Sequence, residues 1–516
     1  MKKFFLTVAV LLILIFLSLP GCSCRDGGRE GLPLLARQFK APPPEYHPYV
    51  WWHWMGSNFS REGITKDLEA MKESGIGGAT IFNLSSAVQE SHVPTLNNPW
   101  PEQTFRSEAY WDAVRFAAAE AKRLGLKIGL HNTPGYATTG GPWIPEQRGM
   151  QTLVSSRTAV EGGKTVELPL DKPELPVYEG WGTTRQRATY YEDVAVMAVP
   201  EKADVNAEDI LDLSGQMDAA GLLKWQAPEG RWMIYRIGHA PTMSNPHPLP
   251  DELIGKTLEV DKMSREQNRY HWQQMLTPLR EHLKEYIGDS FTFIHIDSYE
   301  AGDQDWTPLF RSEFIRRKGY DPLPRIALRL HAGEREDPAP FAGDYRDVVN
   351  RLYIDSGWTV AKEAIYEAGL LFYWEPYAGP FDTYESVSLP DVPMDEFWTG
   401  GSGAIGENLV RAAGHYGKNI IAAEAFTGRP EISRYTEDPA FLKHPADGSF
   451  VSGANWLFLH HWVHQPFDDR YQPGMGMGWW GTHFGRHQTW IKPAKAFFTY
   501  LSRCQMLLQQ GAFQSS

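Results

Sequence analysis

Three cysteines, at positions 22, 24 and 504, are all that this chain of 516 residues contains. Cys504 falls on an apolar helical stripe with Phe497, Leu501 and Leu508, where packing is its expected role. Disulfides are therefore not expected to hold the protein together. Positive charge is also scarce. Lys and Arg number 50 against 63 Asp and Glu, a formal net charge of -13, and no basic stripe offsets it, so a nucleic-acid partner is not expected. Long apolar runs are missing apart from Phe4–Leu19, which is too short and too close to the N-terminus for an ordinary membrane span. No dinucleotide-type glycine fingerprint follows a strand-like segment, and there is no H-E-x-x-H zinc motif and no EF-hand loop.

Aromatic residues, by contrast, are plentiful. They make up 13% of the chain, with 19 Trp, and such rings suit both cores and the apolar faces of sugars. At the N-terminus Lys2 and Lys3 precede the apolar run, the pattern of an export signal. The run ends in "LPGCSC", which resembles a bacterial lipobox and would make Cys22 the lipidated first residue of the mature protein. A plain secretory peptide cleaved nearby is the alternative. The expectation is a lipoprotein signal peptide over 1–22 and a Gly-, Arg- and Pro-rich tether over 23–44. The protein would be exported to the periplasm or outer-membrane surface and touch the membrane through its lipid anchor alone.

From residue 45 a strand–helix rhythm begins. "YVWWHWMG" reads as a strand. "SREGITKDLEAMKESG" reads as a helix with Ser60 as N-cap and Gly75 as terminator. "GGATIFNL", the helix Ser107–Gly125 and "LKIGLHNTPG" continue the pattern. From 151 to 262 short alternating segments such as "KTVELPL", "DVAVMAVP" and "WMIYRIG" predict an inserted β-rich module. The rhythm resumes at Phe291 and continues through "LLFYWEPYAG", "DVPMDEFWTG", "NIIAAEAFTG" and "NWLFLHHWVHQP". About eight strands alternating with helices predict an α/β fold of (β/α)₈ TIM-like barrel type, interrupted by that module. The barrel would occupy 45–150 and 263–511, with a short tail at 512–516. An open doubly wound sheet is the competing fold.

Barrel chemistry sits where strands end. The rule gathers Trp54, Asn83, His131, Asn132, Asp297, His461 and His464 as candidate substrate-binding residues, with acids at Glu300, Glu375, Asp395, Glu396 and Glu424. Glu424 is the sharpest case. It lies in "IIAAEAFTG" among small and apolar residues, where a carboxylate needs a partner or a function. A salt bridge to Arg429 or Arg434 is one reading, and catalysis is the other. Glu300 is open to the same choice between loop acid and catalyst. Two carboxylates across a barrel mouth are what glycosidic cleavage requires, one protonated and one ionised. Tyr299 and Trp306 are the aromatic neighbours expected to shield Glu300 from water. The acidic rim would also suit calcium.

Three stretches, "PYVWWHWMGSNFSREGITKDLEAMKESGIGGATIFNL", "HIDSYEAGDQDWTPLFRSEFIRRKGYDP" and "IIAAEAFTG", together resemble the α-L-rhamnosidases of glycoside hydrolase family 106. The resemblance spans roughly Tyr46 to Gly511. It implies hydrolysis of an oligosaccharide or polysaccharide with inversion, with Glu300 of "DSYE" as general acid and Glu424 of "AAEAFT" as general base. It also implies a bound calcium, with Glu396 of "MDEFW" as the residue near it. Removal of terminal α-L-rhamnose from plant or pectic glycans is the expected activity. Family members usually continue into β-sandwich domains, whereas this chain stops after the last barrel helix, so it is expected to be the catalytic portion. A retaining β-glycosidase of the galactosidase type is the rival enzyme. A carbohydrate-binding surface lipoprotein without activity is the rival from another class.

Overall fold

The computed structural model describes residues 27–85, 98–136, 138–178, 186–333, 339–429, 431–433, 435–478 and 480–511. The signal-peptide region with Cys22 and Cys24, and the tail, lie outside them. Two compact units divide the chain, at 1–43 and 44–516. In the first, Gly27–Lys40 is a helix, where the sequence reading expects an irregular tether. Leu34, Leu35, Ala36, Arg37 and Gln38 are good helix formers that outweigh the single Pro33. Among the described residues no helix is long and apolar enough to cross a membrane.

The second unit is built on a closed barrel of eight parallel strands. They are β1 (Tyr49–Met55), β2 (Gly78–Leu84), β3 (Lys127–His131), β4 (Phe291–Ile296), β5 (Leu371–Trp374), β6 (Val392–Trp398), β7 (Ala422–Thr427) and β8 (Trp456–Val463). Each pairs with its sequence neighbours, and β8 closes against β1. The (β/α)₈ architecture expected from the strand–helix rhythm is the one observed. The caps follow the sequence signals. The Ser60 side chain accepts from Gly63 N at the start of helix Arg61–Ser74, and Gly75 ends it at φ 92°. Ser107 and Gly125 bound helix Glu108–Leu124 in the same way.

Between β3 and β4 lies the β-rich insertion. Its main sheet is antiparallel, in the order Leu211–Asp212, Glu192–Pro200, Arg231–Pro241, Gln151–Glu161. A two-stranded sheet, Thr165–Pro169 with Leu222–Gln226, packs on it through Val166, Val196, Leu223, Trp225 and Ile234. A short pairing of Leu258–Glu259 with Gly140–Gly141 joins the end of the insertion to the loop after β3. There Lys262 Nζ, fully buried, meets Glu259 Oε2 at 2.6 Å.

Barrel strands alternate between two environments. Tyr49, Trp51, Phe82, Phe293, Tyr373 and Phe458 fill the interior, with Phe293 stacked on Tyr373 at 4.4 Å. Val50, Trp52, Trp54, Ala79, Ile81, Ile294 and Ile296 face the helical layer. Trp52 leads to a buried polar knot that ties β1, the first helix and the β8 loop. Asp67 accepts from Trp52 Nε1 (3.3 Å), Gln465 N (3.1 Å) and Arg486 Nε (2.9 Å), and its Oδ2 lies 2.7 Å from His464 Nδ1. Removing one member of a buried charge network strands the rest. Asp67→Ala should lower unfolding free energy by about 3–5 kcal/mol in urea denaturation. A loss under about 1 kcal/mol would show that the knot does not hold these elements together.

Candidate active site

Where the strands end, inward positions carry acids. On β4 the inward series Phe293, His295 continues to Asp297, and the loop then brings Glu300 to the rim. On β7 the inward position between outward-facing Ala423 and Ala425 is Glu424. Glu396 of β6 pairs in register with Glu424, and Glu375 follows β5. A cavity of about 220 Å³ opens here, a space on the scale of one sugar ring. Asp297, Ser298, Glu300, Glu396, Glu424 and Thr427 supply its polar lining. Trp51, Tyr136, Trp398, Met477 and Trp480 supply its apolar walls, with His247 and His460 between. Trp398 and Trp480 meet edge to face at 6.0 Å. A neighbouring cavity of about 210 Å³, between Tyr435, Met475 and Gln488, has no acid in its lining and so offers no hydrolytic pair.

The two glutamates of interest live in different surroundings. The Glu300 side chain is 42% exposed and lies 3.0 Å from His247 Nε2. Glu424 is 4% exposed and accepts from the Thr427 hydroxyl. Burial, and then the charges of Glu396 and Asp297, push the Glu424 carboxyl well above the usual carboxylate range. Asp297 is raised in the same direction by burial and by Glu300. Glu375 is raised by burial, Asp297 and Glu424. Glu396 is pushed up to about 7, chiefly by burial.

Carboxylate oxygens of Asp297, Glu375 and Glu424 all lie within 4.8 Å of one another. Glu375 Oε2 accepts from the Tyr377 hydroxyl at 2.6 Å, while its buried Oε1 has no hydrogen-bond partner. Three buried carboxylates this close repel one another when ionised, and a hard divalent cation is the natural counter-charge for such an all-oxygen set. The residues therefore fit calcium. Glu396, the residue expected to hold it, is not in this trio.

A family model for the alpha-L-rhamnosidases of glycoside hydrolase family 106 matches residues 40–204 and 185–516. The chain belongs to that family. It is also similar to a Formosa agariphila protein provisionally named a beta-glucuronidase, 34% identical over 511 residues. That match covers 92% of this chain but 41% of the relative, so the chain spans less than half of that protein. Among solved structures it resembles a rhamnosidase from Novosphingobium sp. PP1Y, with TM-score 0.75 and 24% identity over 92% of this chain and 61% of that one. That likeness shows the shared barrel fold.

Of the residues singled out in the sequence of this family member, Asp297, Glu300, Glu396 and Glu424 meet around one cavity. His131 lies deeper inside the barrel, stacked on Phe82 at 4.6 Å, with Nε2 facing Asp297 N at 3.4 Å. The others are not among the cavity's lining residues. Trp54 faces outward onto Phe59 and Tyr110. Asn83, one residue out of phase with Phe82, donates to the carbonyls of Trp54 and Gly56. Asn132 binds Thr139, and His464 belongs to the Asp67 knot. His461 stacks on His53 at 5.0 Å and its Nε2 meets Trp480 O at 2.7 Å, so it braces a wall residue from behind. Arg429 does not pair with Glu424 but lies over the Trp398 ring at 5.4 Å, and Arg434 is outside the described residues. Tyr299 and Trp306 do not shield Glu300. Tyr299 bonds Tyr353 and Trp306 packs on Phe310.

Sequence reasoning missed Trp51, Tyr136, His247, Trp398 and Trp480. For Trp398 the signal was available, since it shares the inward phase of β6 with Glu396. Calcium added to chelator-treated protein should raise Tm, and at 100-fold excess over Kd the gain is about 2.7 kcal/mol. Glu375→Gln should remove that increment while leaving the metal-free protein no less stable, because one buried like charge is gone. An equal calcium-dependent gain in the variant would place the ion elsewhere.

Proposed function

We propose that this chain is an inverting α-L-rhamnosidase that removes terminal rhamnose from plant or pectic glycans. The observation that carries the reading is the pairing, around one small cavity, of a rim glutamate open to solvent with a buried one. In this scheme Glu300 gives its proton to the glycosidic oxygen as the bond to the anomeric carbon breaks, and the bonding electrons leave with that oxygen. Glu424, in its ionised form, takes a proton from the water that attacks the opposite face, and a cation beside Asp297 and Glu375 would favour that form against the burial and like charges that raise it. Water needs room between the two carboxyls, roughly 6.5–9.5 Å in inverting enzymes of this kind. Trp398 and Trp480 offer ring faces to the sugar. A calcium ion bound by Asp297, Glu375 and Glu424 would supply positive charge to hold sugar hydroxyls and offset the crowding of carboxylates. We place the protein outside the cytoplasm, as a lipoprotein anchored through Cys22, on the strength of the N-terminal motif.

The name of the Formosa agariphila relative raises a second reading, a substrate carrying a uronic acid. The lining speaks against it. Four carboxylates face the cavity, and none of its described lining residues is Lys or Arg. A uronate would bring a further negative charge into that acidic field, with no Lys or Arg of the described lining to pair with it. A neutral deoxysugar has no such charge, and Met477 and Trp480 can accept its methyl group.

On rhamnosides with unactivated leaving groups, Glu300→Gln and Glu424→Gln should each reduce kcat by about 10²–10⁴-fold. NMR of the first-formed sugar should show the inverted anomer. A retained anomer would support the retaining alternative, and near-normal kcat in either variant would remove that residue from its role. A screen against rhamnose-containing pectic fragments, scored for free rhamnose, tests the substrate class.

A further inference from the structure

Glu300 has one side-chain hydrogen-bond partner among the described residues, His247, and that partner comes from the inserted module 53 positions away. The segment carrying His247 is clamped to the barrel rim. Tyr136 N donates to His247 O at 2.9 Å, and Ser85 N donates to Pro248 O at 3.2 Å. Gly135, at φ +82°, lies so close that a β-carbon there would stand 2.7 Å from His247 O. The Tyr136 ring meets the imidazole edge-on at 5.9 Å. These contacts fix the imidazole in place, with Nε2 at 3.0 Å from Glu300 Oε2, and the His247 side chain is 12% exposed.

We infer that His247 is a positioning residue for the general acid, delivered by the inserted module to hold the Glu300 carboxyl in the cavity and to stabilise the carboxylate that forms when its proton leaves. The inference rests on Glu300 acting as the acid. In this arrangement His247 Nε2–H donates to Oε2, and the transferable proton sits on Oε1. As Oε1–H passes to the glycosidic oxygen, Glu300 becomes a carboxylate. The hydrogen bond from Nε2–H then becomes charge-assisted and roughly twice as strong, so it favours the transition state over the ground state.

A good leaving group departs without a proton, whereas an alkoxide cannot. The test therefore compares kcat/KM on 2,4-dinitrophenyl and methyl α-L-rhamnosides in the wild type, in His247→Gln and in Glu300→Gln. Wild type sets the aryl-to-alkyl ratio. His247→Gln should raise that ratio by about 10–100-fold, by analogy with the loss of a hydrogen-bond partner that orients a metal ligand. Glu300→Gln should raise it further. Because both substrates are assayed in one sample, any loss of folded protein cancels from the ratio. If the ratio rises in Glu300→Gln but stays at the wild-type value in His247→Gln, the assignment of His247 is overturned and the acid stands. If Glu300→Gln leaves the ratio unmoved, the acid assignment falls and takes this one with it.

Discussion

In a closed parallel barrel every strand residue faces either the axis or the helices, and neighbours alternate between the two. This two-residue period decides which polar groups can share a site. On β4 it sends His295 and Asp297 inward and Ile294 and Ile296 outward. On β7 it turns Glu424 inward between Ala423 and Ala425. The same rule sends Trp54 and Asn83 to the outer layer, where they serve packing and backbone hydrogen bonds. Proximity to the rim is not enough, because a residue one step out of phase faces another environment.

The inward phase crowds acids around one cavity. Mutual repulsion and desolvation raise Asp297, Glu375, Glu396 and Glu424 together. Such a cluster is costly unless a cation or a charge-bearing reaction makes use of it. Exposure then separates the two proposed catalysts. Glu300 stands where a leaving group can depart into solvent, and Glu424 lies on the floor beside Thr427. Tryptophan rings at Trp51, Trp398 and Trp480 line the rest of the cavity.

The inserted module is more than an ornament on the loop after β3. Its end is joined to the barrel by a short strand pairing and a buried Lys262–Glu259 pair. The backbone clamp at Gly135 and Tyr136 then carries His247 to the cavity.

The strand–helix rhythm, the caps at Ser60 and Gly75, the break at the insertion and the buried acid in "IIAAEAFTG" were all legible in the chain, because each is a local pattern governed by nearby residues. The family motifs pointed to Glu300 and Glu424 as well. The helix at Gly27–Lys40 was hidden by its glycines and Pro33, although its good helix formers were in view. The binding residues were less legible, because nearness to a strand end was read without its phase, and Trp54, Asn83 and His464 were counted on that basis. Local order along the chain thus determined the elements, their sequence around the barrel and the acids available. Tertiary structure alone decided that Asp297, Glu375 and Glu424 approach within 4.8 Å, that Trp480 is braced by His461, and that His247 meets Glu300. Those meetings depend on barrel closure and on backbone contacts between segments distant in the chain, which no local pattern encodes.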